Sequence, residues 1–148
     1  MHKSRVCALL IDTPEPEAAQ AAAFWSAALG APARPVPSEE QFTSLHQAIP
    51  GLEVAVQAVD DAPRFHLDIE TDDVEAETAR LLDLGATQIG HWLECRILRA
   101  PGGHLLCVLP AHTDAFESQA RVWAQGPGES HVRPFDHGMP WRVRTASG

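Results

Sequence analysis

The chain lacks any apolar run near the roughly 20 residues needed to cross a bilayer, has no Cys-x-x-Cys spacing, and is short of basic residues. Each absence removes a class of function. After the basic start Met1-His2-Lys3-Ser4-Arg5, the apolar segment 6–11 is too short for the core of a secretory leader, so a cytoplasmic protein and no membrane partner are expected. Lys and Arg number 11 against 20 Asp and Glu, a formal net charge of -9. That balance disfavours nucleic acid, whose binding depends on Lys and Arg displacing counterions. The three cysteines, Cys7, Cys95 and Cys107, are odd in number, which argues against a disulfide framework and a zinc knuckle and for reduced, mostly buried thiols. What remains is a 148-residue chain with 45% hydrophobic and 21% charged residues, enough for one ordinary domain or two very small ones sharing a core.

That chain nearly repeats itself. Residues 65–86, FHLDIETDDVEAETARLLDLGA, follow a fainter copy at 7–31, CALLIDTPEPEAAQAAAFWSAALGA. In the second copy Phe65, Leu67 and Ile69 alternate with His66, Asp68 and Glu70, which predicts a strand burying its apolar row. Asp72, three residues before Glu75, reads as a helix cap, and Val74, Thr78, Leu81 and Leu82 form a helical stripe ended by Gly85. In the first copy residues 6–11 read as a strand covered on both faces. Ala21, Phe24, Trp25, Ala28 and Leu29 form the stripe of a helix stopped by Gly30, so Phe24 and Trp25 are expected to pack in the core.

Each helix is followed by short strand candidates. These are 34–37, 42–47 and 52–59 after the first, and 87–92, 94–98 and 104–109 after the second, with turns at Pro50-Gly51 and Pro101-Gly102-Gly103. Two βαβββ modules result, at about 5–60 and 63–110. Two such modules related by a pseudo-twofold would share one curved mixed sheet with both helices outside, an α+β architecture.

Paired βαβββ modules, Ala23-Phe24-Trp25 in the first helix, His66-Leu67-Asp68 opening the second module, Leu-Gly-Ala after each helix and a final Pro-Gly-Gly turn resemble the vicinal oxygen chelate superfamily, within it the glyoxalase-like and bleomycin-resistance-like domains. The resemblance implies a domain over 5–110 and commonly a homodimer. It leaves function open among lyases, isomerases, dioxygenases and metal-free binding proteins.

In the enzymes of that superfamily a metal takes one ligand near the start of each module's first strand and one in each module's last strand. Carried onto this chain, those places read Ala8, about Gln57, His66 and Cys107. One imidazole with an amide and a thiol is a poor divalent site. The expectation is therefore no bound metal, with His66 and Cys107 as the donors if one were present. A small-molecule cavity would then be lined by His66, Gln57, Cys107, His104 and Trp92. His66 is the candidate catalytic acid or base should the protein be an enzyme.

The likeness stops at about residue 110. Ala115 to Trp123 could form a short helix. Beyond the break at Gly126-Pro127-Gly128 lies an extended arm carrying His131, Arg133, Asp136, His137 and Trp141, which could pack on the domain or on a second subunit.

Overall fold

The computed structural model describes residues 1–124. Along them run β1 (His2–Pro14), a 3-10 turn (Glu15–Glu17), α1 (Ala18–Leu29), β2 (Ala33–Pro35), β3 (Phe42–Leu45), β4 (Glu53–Val59), β5 (Arg64–Thr71) and α2 (Val74–Asp83). Then come β6 (Thr87–Trp92), β7 (Cys95–Arg99), β8 (Leu105–Pro110), α3 (Phe116–Gln119) and β9 (Arg121–Trp123). The strands form one curved mixed sheet in the order β2-β3-β4-β1-β5-β8-β7-β6, an α+β fold. On either side of the β1/β5 seam the pattern is the same. The first strand of each half lies parallel to its last, β1 with β4 and β5 with β8, and antiparallel pairs continue outwards. At the seam β1 and β5 pair antiparallel, placing Leu10 opposite His66 and Ala8 opposite Asp68.

One face of the sheet carries the helices. Under α1, Ile11, Leu45, Val54 and Val56 pack with Ala22 and Ala31, and Trp25 closes against them. In the second half, Leu98 and Val108 are fully buried on the face from which Arg96 reaches Glu75 of α2. Ala8 and Leu10 point the other way, into a smaller cluster with Cys7, Phe42 and Ala55. Gly30, at φ +64, ends α1 in the left-handed conformation that a side chain would resist.

Four expectations are corrected. Phe65 and Leu67 are 55% and 41% exposed, while Glu70 on the polar row of the same strand is completely buried. The reason is placement: α1 lies over β4, β3 and β1 and α2 over β8, β7 and β1, leaving the outer face of β5 the less covered, while the inner polar row finds partners. Glu70 receives hydrogen bonds from Arg5 Nη1 at 2.8 Å and the His112 and Thr113 backbone N–H groups at 2.9 and 3.0 Å, and also from the Thr113 hydroxyl. Burial opposes its charge, but these donors hold its carboxyl below the usual range.

Phe24 is not in the core. It is 61% exposed, edge-on to Trp25, because α1 turns Ala21, Ala22 and Trp25 towards the sheet. The cap of α2 is Asp73, whose carboxylate accepts from Ala76 N–H at 2.9 Å; Asp72 instead accepts from Lys3 N–H at 2.6 Å. Finally, the helix expected over 115–123 is a single turn, and residues 121–123 pair as β9 with His2, Lys3 and Ser4. Trp123 Nε1–H donates to Ser4 Oγ at 2.8 Å, and Arg80 stacks over the indole at 3.8 Å, so tertiary partners override the local helical stripe.

Candidate functional site on the concave sheet face

Pairing register decides which residues share the face opposite the helices. Asp12, Leu10 and Ala8 of β1 lie across from Arg64, His66 and Asp68 of β5, and Asp68 lies across from Cys107 of β8. His66 is at the centre of this row. Its Nδ1–H donates to Asp12 Oδ2 at 2.7 Å, and Arg64 Nε–H donates to the same oxygen at 3.0 Å. On the other side, His66 Nε2 stands 3.4 Å from Asp68 Oδ1, near enough for charge attraction but outside good hydrogen-bond geometry. Ring nitrogen, Asp68 oxygen and Cys107 Sγ all lie within 4.8 Å of one another.

The electrostatics of the ring follow. Burial disfavours the imidazolium, but Asp12, Asp68 and the Cys107 thiol outweigh it and push the pKa of His66 up to about 11. At neutral pH His66 is therefore a cation. A charged ring can give a proton but cannot accept one, so the acid half of the role expected for it is favoured.

The other expected residues scatter. Gln57 is on this face, opposite Asp12, but the register makes Ala55, two residues earlier, the counterpart of Cys107: Leu10 pairs with Ala55 as Asp68 pairs with Cys107. Trp92 ends the outermost strand, three strands from β5, and is 58% exposed. His104 is an exposed turn residue just before β8, its ring beside Gly102. A cavity of about 420 Å³ does exist, but it is lined by Asp72, Glu75, Leu93, Glu94 and Arg96 at the start of α2, away from His66. Its acidic lining is what a helix N-terminus favours. His131, Arg133, Asp136, His137 and Trp141 lie outside the described residues.

Sequence reading missed Asp12, Arg64 and Asp68. Asp12 was legible only as a marker of the repeat. Asp68 had a signal, since it shares the period-two polar row with His66 and Glu70.

A family model of the glyoxalase-like domain matches residues 8–109. The chain belongs to the glyoxalase-like domain family. Solved structures similar to this glyoxalase-like domain include an NAD-dependent benzaldehyde dehydrogenase from Legionella pneumophila, at 14% identity over 70% of this chain and 98% of that one, with a TM-score of 0.50. Methylmalonyl-CoA epimerase from Mycobacterium tuberculosis matches at 17% identity over 72% and 88%, TM-score 0.47. A glyoxalase/bleomycin resistance protein/dioxygenase superfamily member from Vibrio splendidus 12B01 matches at 15% over 70% and 97%, TM-score 0.43. Identities this low speak to the fold alone. No curated protein matches.

The four-ligand set of the superfamily's enzymes is incomplete here, although His66, Asp68 and Cys107 bring an imidazole, a carboxylate and a thiol within 4.8 Å of one another. Of the four ligand places, Ala8 and Ala55 carry no donor, and the ring at the third is an imidazolium already held between carboxylates. A metal would have to displace that proton before the ring could ligate. A second cluster of donors, Cys7, Glu70 and His112, is occupied by the Arg5 and Thr113 contacts to Glu70. Cys7 there is a buried thiol whose pKa is pushed up to about 12, first by burial and then by Asp68 and Glu70.

Proposed function

We propose that this glyoxalase-like domain binds a small, flat organic molecule on the concave face without a resident metal. The observation that carries the reading is the pair of alanines at Ala8 and Ala55, where the superfamily's enzymes place ligands. With Leu10 and Phe42 they pack into an apolar cluster beside a polar row of fixed charge, a combination suited to a ligand with an apolar body and one polar group. Asp12 and Asp68 balance His66 and Arg64, so the face favours a neutral or weakly polar guest.

Catalysis by a metal-independent acid is the second reading, favoured by the His66 Nδ1 contact to Asp12, which fixes the ring with Nε2 directed along the face. The proposal includes a homodimer, supported by the uncovered apolar strip Phe24, Phe65 and Leu67 on the helix-bearing face, and a cytoplasmic setting, supported by three free cysteines.

Elemental analysis of purified protein incubated with Zn, Ni, Mn and Fe(II) and then desalted tests the metal-free reading. The expected result is no retained metal and a thermal-shift response to aromatic natural products. Near-stoichiometric metal that disappears in His66→Ala would overturn it.

A further inference from the structure

The polar row of the concave face has hydrogen-bond donors at its ends and lacks them in its middle. At one end Glu70 accepts from Arg5 and from the His112 and Thr113 backbone; at the other, Asp12 Oδ2 accepts from His66 and Arg64. Between them, Asp12 Oδ1 and Asp68 Oδ1 are buried acceptors with no donor among the described residues. From this imbalance, and resting on the binding reading above, we infer that the guest is an aromatic compound whose polar group is a hydrogen-bond donor, a phenolic O–H or a ring N–H, received by the carboxylate of Asp68.

A buried carboxylate oxygen left without a donor costs free energy, so each such atom marks a place where a donor from outside the chain is favoured. Asp12 is 2% exposed and held through its other oxygen. Asp68 is 22% exposed and can be reached from the face. Its last torsion is broad and roughly twofold, so a small turn presents either oxygen to a guest. Across the strands Asp68 has Ala8 on one side and Cys107 on the other. Ala8 packs in the cluster with Leu10 and Phe42, which sets apolar surface next to the acceptor.

The cations of the row are already matched. Arg64 donates Nε–H to Asp12 and Nη1–H to Asp61, Arg5 is committed to Glu70, and His66 lies between Asp12 and Asp68. A carboxylate or phosphate guest would meet the undonated oxygens of this row before it met a cation without a partner, and its desolvation would go uncompensated. A methyl ether of the same shape keeps the apolar contact and loses the hydrogen bond. The site thus selects by the direction of one hydrogen bond more than by size.

Calorimetric titration of the full chain at neutral pH with 2-naphthol, 2-methoxynaphthalene and 2-naphthoate tests this. 2-Naphthol should bind about tenfold more tightly than the ether, as a hydrogen bond to a charged acceptor implies, and 2-naphthoate more weakly than either. Asp68→Ala should bring the ratio of naphthol to ether affinity to about one, and Asp68→Asn, which keeps the shape and a weaker acceptor, to an intermediate value. A packing defect would weaken both compounds alike and leave the ratio standing. The wild-type ratio decides by itself should a variant fail to fold. Equal wild-type affinities for naphthol and ether, a ratio unchanged in both variants, or tightest binding of the naphthoate would each overturn the inference and leave the binding reading in place. Failure of all three compounds to bind would reject the binding reading for flat aromatic guests, and the inference with it.

Discussion

Replacing His66 with Gln should flatten the pH dependence of folding stability between about pH 7 and about pH 8.5, and the structure sets the size of the effect. In the unfolded chain His66 titrates at its ordinary 6.5; in the folded protein Asp12 and Asp68 hold its pKa up at about 11. The folded state therefore binds the proton more tightly. The stability this contributes is fully present below pH 6.5 and is lost as pH rises through the folded value of about 11. Between those limits the folded ring keeps a proton that the unfolded ring has released, so stability falls by up to about 1.4 kcal/mol for each pH unit. Across the window named, the loss is roughly 2 kcal/mol, and solvent screening trims it little because the side chain is only 10% exposed. Urea unfolding of wild type and His66→Gln at both ends of the window measures it. Equal slopes in the two proteins would refute the charged, doubly paired imidazole, and with it the preference for the acid role.

Glu77 is completely buried and pairs with His2 Nε2 at 2.7 Å, Ser4 Oγ at 2.9 Å and Arg80. Glu77→Ala should cost about 3–5 kcal/mol by chemical denaturation, because it strands buried partners. Trp123→Ala removes the hydrogen bond to Ser4 and the Arg80 stack and should cost roughly 1–2 kcal/mol, read as a lower midpoint in thermal unfolding. Asp73→Ala should destabilise by about 1 kcal/mol through loss of the α2 cap, whereas Asp72→Ala should leave helix content by far-UV circular dichroism unchanged.

The architecture was legible because both periodicities and their order were written in the chain: apolar residues 6–11, the alternation of 65–70 and the Leu-Gly-Ala after each helix marked the same elements in both halves. Strand alternation, however, does not say which row faces inwards. Phe65 and Leu67 looked like the buried row, yet Glu70 is the sealed one, because Arg5, His112 and Thr113, distant in sequence, satisfy it. The site was partly legible for a related reason. His66 and Cys107 stood at recognisable places, whereas Asp12 and Arg64 acquire their meaning only from cross-strand register. The Gln57 position was misjudged by two residues for the same cause, since parity keeps it on the right face while the partner that matters is Ala55.

The pairing of β9 with the beginning of β1 bears on how the protein is made. β1 is central, and its partners are β4, β5 and β9, so it has no neighbour that is close in sequence. His2 must wait for Trp123 to leave the ribosome before its edge is closed. Most of β1 can pair once β4 and β5 are made, but its edge at His2 to Ser4 stays open until β9 follows, so that end of the sheet closes last.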